Sequence, residues 1–224
     1  MNTKKYGPWL VAFMIIAPFI YGALIFPHLP SRIPTHFNIE GKADAWGGPS
    51  SIFIGPGIMG AVSIFIYILM SNIKTFDPKK YDEANDTLYS NFAVLTVAFL
   101  SALSTIIIYS STHADEINVG KLILPLVGLS FAGLGWYMPK FKQNYFVGFK
   151  LPWTLENETN WNETHKVASK YWIYGGLFQA VLTFILPMKF GMIAFMLAVA
   201  IMVIIPSVFS YRLFKNGNQI KNTN

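Results

Sequence analysis

Apolar residues in this chain fall in long blocks, and the charges fall between the blocks. Six stretches of 18 to 26 residues contain no Asp, Glu, Lys or Arg: Tyr6 to Pro27, Ser51 to Ile73, Thr87 to Thr112, Leu122 to Pro139, Tyr171 to Met188 and Phe190 to Tyr211. At about 1.5 Å per residue, each is long enough to cross a hydrocarbon core of roughly 30 Å as a helix. A membrane barrel is the rival reading, but barrel strands alternate apolar and polar positions over about ten residues. The run Phe195 to Ile205 does not alternate. The pattern predicts an all-α, polytopic membrane protein with six transmembrane helices.

Two segments between the blocks carry patterns of their own. Leu29 and Ile33 each precede a proline, which biases them toward extended backbone. Ile33, Thr35, Phe37 and Ile39 then share one side of an extended segment, opposite His36, Asn38 and Glu40. Gly41 reads as a turn, and Trp46 before Gly47-Gly48-Pro49 reads as an interfacial anchor. Residues 28–50 therefore predict a small ordered cap containing a short strand pair. In the segment 140–170, Thr154 reads as a helix N-cap, with Glu156 and Glu158 in the first turn. Trp161, His165 and Trp172 recur on one helical face. This predicts an amphipathic helix from Leu155 onward that lies on the inner membrane surface and bends into the fifth crossing. An early start to the third helix is expected from Tyr81. The chain divides at the longer loop. Residues 1–139 form a four-helix region with the motif loop 28–50. Residues 140–224 carry the motif loop 140–170 and two crossings, within one integrated membrane domain.

Composition changes this picture little, but the position of the charges orients it. Of 224 residues, 53% are hydrophobic and only 12% charged, against about 25% charged in soluble domains. The net charge of +6 comes from basic loops. The N-terminus, second loop, fourth loop and C-tail hold 13 of the 17 basic residues, Lys79, Lys80, Lys150 and Lys166 among them, and the other connections hold four. The positive-inside rule then places both termini in the cytoplasm and the first-loop cap outside. With no cysteine in the chain, disulfides, thiolate metal sites and cysteine nucleophiles are excluded. Gly57 and Ala61, Gly128 and Ala132, and Gly176 and Ala180 are spaced as small-residue pairs that permit close helix approach.

Enzymatic readings are thinly supported. His28, His36 and Asp44 lie near one another, but at no standard metal-ligand spacing, and a hydrogen bond between His36 and Asp44 accounts for them. Ser130 superficially fits an intramembrane hydrolase, yet no crossing contains a histidine to serve as its base. No carboxylate sits in a crossing, which argues against ion-coupled transport. Asn91 and Gln179 read as packing hydrogen bonds. No cofactor is expected.

The two motif segments resemble the SdpI family of bacterial membrane proteins. The first block, Leu29 to Gly48, has Ile33-Pro-Thr-His-Phe-Asn38 at its core, followed by Gly41, Asp44 and Trp46-Gly47. It is similar to a domain of unknown function common at the start of that family. The second, Met138 to Leu155, contains Asn144-Tyr-Phe-Val-Gly-Phe-Lys-Leu-Pro-Trp-Thr-Leu155 and continues through Trp161, His165 and Lys170. It departs from the family pattern at Lys150, where arginine is usual, and at Leu151, where threonine is. Ala43 and Ala45 replace the common proline and glycine. Lysine at 150 lacks the planar fork that pairs two-pronged with a carboxylate or phosphate.

The resemblance implies an immunity protein of the bacterial cytoplasmic membrane that guards the cell against a secreted peptide toxin. It also implies a receptor that holds a soluble transcriptional repressor at the membrane, without touching nucleic acid itself. The residues carried over are His36, Asn38, Asp44 and Trp46 on the toxin side. On the cytoplasmic side they are Asn144, Gly148, Lys150, Pro152, Trp153, Thr154 and His165. The alternatives are a membrane-embedded hydrolase or metalloenzyme using His36 and Asp44, or His165 with Glu158 or Glu163, and a small transporter.

Overall fold

The computed structural model describes residues 3–76, 78, 83–114 and 116–222. Lys79, Lys80 and the early helix start at Tyr81 lie outside the described residues. The elements run α1 (Thr3–Ile25), β1 (Ile33–Phe37), β2 (Ala43–Gly47), α2 (Ile54–Ser71), α3 (Ile73–Phe76), α4 (Asp86–Thr112), α5 (Gly120–Tyr137), α6 (Pro152–Glu156), α7 (Glu158–Ile185) and α8 (Met188–Asn222).

The bundle is apolar outside, and inside it buries polar groups alongside apolar ones such as Val97, Ile108 and Met202. Trp9, Phe13, Phe65, Phe178, Phe184 and Met196 are all exposed. Ser63, Ser104, Gln179, Thr183 and Ser210 are buried. Water as solvent drives the opposite distribution; lipid tails permit this one, because they are as apolar as leucine and leave packing and polar contacts to join the helices. Gln179 Nε2 donates to Leu124 O (2.9 Å), linking α7 to α5. Ser101 Oγ donates to Met14 O (2.6 Å), linking α4 to α1. Ser130 Oγ donates within its own helix to Val127 O (2.7 Å).

Among the described residues, five helices are long and apolar enough to cross a membrane, within the segments Gly7–His28, Pro49–Ser71, Asp86–Thr112, Gly120–Lys140 and Met188–Asn216. The helix α7 does not meet that measure, because its first half is polar. It nonetheless spans from the end of the bundle that carries the 140–156 loop to the end that carries the hairpin. The helix expected from Leu155 onward is divided at Asn157, between α6 and α7. Glu158 to Ile185 is one continuous helix, and its Trp161, Thr164, His165 and Ala168 face is buried in protein rather than in headgroups.

Two groups of helices make the bundle. In one, α1 and α2 pack on α4; in the other, α5 and α8 pack on α7. Contact between α4 and α5 joins the groups. The seam between α5 and α7 uses the small residues. A side chain at Gly128 would meet Gly176 O at 2.6 Å and Ala180 Cβ at 2.9 Å, and one at Gly176 would meet Ala132 N at 2.7 Å. The third pair fails as packing: a side chain at Gly57 would meet nothing within 4 Å. That glycine faces outward, where lipid needs no close approach.

Candidate functional site

The two motif blocks occupy opposite ends of the bundle. At one end, β1 and β2 form an antiparallel hairpin with irregular register around His36. Gly41 makes its turn with φ of 74°, a conformation that costs a side chain-bearing residue steric strain. Asn38 Oδ1 accepts from Glu40 N (2.9 Å) and Lys42 N (3.1 Å), so this residue shapes the turn. The strand alternation holds at Ile33, which is buried with Ile52 and Ile108. It is lost at the next residues, where Pro34 is buried beside Ile33 and Thr35 is exposed like His36, and the register shifts on either side of His36 account for the break; Ile39 is exposed in the turn. His36 Nδ1 and Asp44 Oδ1 lie 2.5 Å apart on the exposed surface, and Trp46 is also exposed.

The loop between α4 and α5 docks this cap. Asn118 Nδ2 donates to Glu40 O (2.6 Å), and Asn118 Oδ1 accepts from Gly120 N (3.1 Å). Lys121 Nζ donates to Thr183 O (3.2 Å), Phe184 O (3.0 Å) and Leu186 O. These carbonyls belong to the last turn of α7 and the residue after it, where a cation both satisfies orphan acceptors and opposes the helix dipole. Beneath β1 lies a cavity of about 440 Å³ between α2, α4, α5 and α8, lined by Thr35, His36 and Asn38 above and by Ile107, Ile123 and Met192 below.

At the other end, the 140–156 loop folds on α7. Asn144 Oδ1 accepts from Phe146 N and Val147 N, both at 2.8 Å, while its Nδ2 donates to Lys142 O (2.8 Å). Gly148 has φ of 116°, and a side chain there would run into the His165 ring. That close approach allows Phe149 N to donate to His165 Nε2 (3.0 Å), while His165 Nδ1 donates to Trp161 O (2.7 Å). This arrangement requires the neutral imidazole. Burial pushes the His165 pKa down to about 4, partly opposed by the bond to Trp161. The residue precedes the apolar stretch that begins at Tyr171.

Helix starts in this loop differ from expectation. Leu151 is the N-cap of α6, Pro152 takes the first helical position, and Thr154 sits at the third. Thr154 Oγ1 accepts from Leu151 N (2.9 Å) and donates to Phe149 O (2.7 Å), closing the turn from inside. Asn157 caps α7, accepting from Asn160 N (2.8 Å). Only Glu158 is therefore in a first turn; Glu156 ends α6. A preceding proline accounts for the shift, because it sets φ for the first helical residue and has no N–H to satisfy.

The structure divides the expected partner-facing residues. Asn144, Thr154 and His165 are buried and build the loop, and Gly148 permits its fold. Lys150 and Pro152 are exposed, and Trp153 is half-buried. Trp153 Nε1 donates to Ser210 Oγ (2.9 Å), and its ring stacks on Phe214 with centroids 5.7 Å apart. Ser210 Oγ donates to Asn160 Oδ1 (2.6 Å), and Asn160 Nδ2 donates to Ser210 O (3.0 Å), tying α8 to α7. Sequence reasoning missed Asn160 and Ser210, because fifty residues separate them and Ser210 lies outside both motif blocks. It also missed Lys121, although a lone cation at the edge of an apolar block was a usable signal.

Fold and site together define a multi-pass helical membrane protein with a hairpin cap at one end and an aromatic motif loop at the other. Residues 140–210 match the SdpI/YfhL protein family, and residues 13–60 match a domain of unknown function (DUF1648). The chain is 27% identical to "Immunity protein SdpI" of Bacillus subtilis (strain 168) over 205 residues, covering 92% of this chain and 94% of that protein. The resemblance to the SdpI family read from the two motif blocks therefore holds along nearly the whole chain, and its setting is the bacterial cell membrane. No solved structure matches the chain.

Proposed function

We propose that this chain is an SdpI-like immunity protein that protects a bacterium against a secreted peptide toxin, without catalysing a reaction. The observation that carries the reading is the separation of the two motif blocks to opposite ends of one bundle, with the cavity under the hairpin at one of them. In this reading six crossings put both termini inside, the hairpin end outside and the 140–156 loop in the cytoplasm. His36, Asn38, Asp44 and Trp46 then meet the toxin. Inside, Asn144, Gly148, Thr154 and His165 hold a surface whose outward groups are Lys150, Pro152 and the edge of Trp153. A soluble repressor would dock there.

Toxin bound at the cap changes that surface only to the extent that it binds one arrangement of the bundle better than another. The cavity sits where the α1–α2–α4 group meets the α5–α7–α8 group, so a wedge there alters their relation. An enzyme reading based on His165 fares poorly, since both ring nitrogens are held by backbone groups.

The test is expression in a toxin-sensitive strain challenged with the peptide toxins of related bacteria. The expected result is survival, reduced in a His36→Ala, Asp44→Ala double variant that still reaches the membrane. Killing of the expressing strain by every such toxin would sink the reading. A periplasm-active reporter that works when fused within residues 156–160 would sink the topology separately.

A further inference from the structure

The seam between the two helix groups does more than hold the cap cavity. At the opposite end it widens into a crevice of about 670 Å³ beneath the 146–151 loop. Its walls come from α2 (Leu69), α4 (Phe92), α5 (Leu134), α7 (Trp172) and α8 (Val203). The volume lies within the roughly 300–1,000 Å³ typical of small-molecule sites. Its lining is mostly apolar: the hydroxyls of Thr96 and Ser207 donate within their own helices to Phe92 O and Val203 O (2.9 and 2.8 Å), and Lys150 is the one charged group among the described lining residues. Lys150 Nζ is 3.3 Å from Phe146 O, which holds the ammonium at the edge of the loop above the apolar walls. The Trp172 indole is fixed as a wall by its bond to Met202 O (3.0 Å).

We infer that this crevice is a binding site for an anionic phospholipid, with an acyl chain in the seam and the headgroup phosphate at Lys150. Three features point to that occupant. The seam runs between helices whose outer faces are apolar, so entry is sideways from the bilayer. Below the loop the lining residues are apolar except Thr96 and Ser207, whose hydroxyls already donate to carbonyls of their own helices, so the walls suit an acyl chain. The charge at the mouth is positive, with no carboxylate in the described lining to cancel it. Basic groups at the ends of crevices between membrane helices suit anionic headgroups for these reasons. The inference does not rest on the immunity reading, and its test involves no toxin or repressor.

The test uses the purified full chain in nanodiscs of phosphatidylcholine containing a trace of photoreactive lipid, either phosphatidylglycerol or phosphatidylcholine with the same photoreactive acyl chain. Cross-linked peptides are mapped by mass spectrometry. The expected result is labelling of the 146–151 loop and of the α2 peptide around Leu69, with the anionic lipid favoured about fivefold. That factor corresponds to one lysine acting on an anionic headgroup. Lys150→Gln brings the two lipids to equality, Lys150→Arg retains the preference, and Lys166→Gln, at a lysine paired with Glu163, leaves it unchanged. Equal labelling by both lipids in the unaltered chain overturns the inference. So does a preference that survives Lys150→Gln, or competition by soluble glycerol phosphate as effective as that by unlabelled phosphatidylglycerol, since the site would then serve a free anion.

Discussion

Substituting Gly148 with alanine should destabilise the motif end through one identifiable contact. The glycine adopts φ of 116°, which a residue with Cβ reaches only under strain; that strain costs about 1–3 kcal/mol. The new Cβ would also push into the His165 ring, whose Nε2 accepts the Phe149 N–H. Losing that buried bond costs a further 1–3 kcal/mol, approximately. Together they predict a loss of about 2–6 kcal/mol. Unfolding in detergent can be followed by tryptophan emission, because Trp161 stacks on His165 with ring centroids 4.0 Å apart. The diagnostic measurement is a double-mutant cycle with His165→Ala. Removing the ring relieves the collision, so the double variant should be more stable than the two single losses sum to, by at least about 1 kcal/mol. Additivity within about 0.5 kcal/mol, or a Gly148→Ala protein as stable as the parent, would refute the close approach of loop and ring.

Three further outcomes follow from other contacts. Because His165 is held neutral with its pKa near 4, the unfolded chain binds the extra proton first as pH falls. Stability should be complete above about pH 6.5 and decline by up to about 3 kcal/mol on going to pH 4; His165→Gln, measured by the same unfolding assay, should flatten that decline. Gly128→Val should cost about 1–3 kcal/mol or more through collision with Gly176 O and Ala180, whereas Gly57→Val, with nothing nearby, should stay within about 0.5 kcal/mol; thermal unfolding of the two side by side checks both. Lys121→Met removes the cation from the carbonyls that end α7 and should cost about 1–3 kcal/mol, with hydrogen exchange rising first at residues 183–187.

The membrane class, the helical content and the hairpin were legible in the residues themselves. Uncharged length is a property of the local sequence, and a bilayer selects for it directly. The hairpin was legible because two X-Pro steps and a glycine restrict backbone locally, whatever surrounds them. Where the motif residues point was not legible. Asn144, Thr154 and His165 read as polar groups available to a partner, yet each is turned inward to satisfy loop amides. A polar residue and its partner carry no mark of one another in the chain when the loop that joins them is held by a glycine's positive φ.

The polar half of α7 shows the same limit from the other side. Its Trp161, His165 and Trp172 face predicted a helix on the membrane surface, and Trp161 and His165 are instead buried in protein along one continuous helix. Only the assembled bundle decided that Asn160 meets Ser210, that Lys121 closes α7, and that one glycine pair packs while another faces lipid. Each depends on which helices become neighbours, and that is set by the summed fit of many surfaces. Apolar length, by contrast, is decided by each segment alone against its solvent.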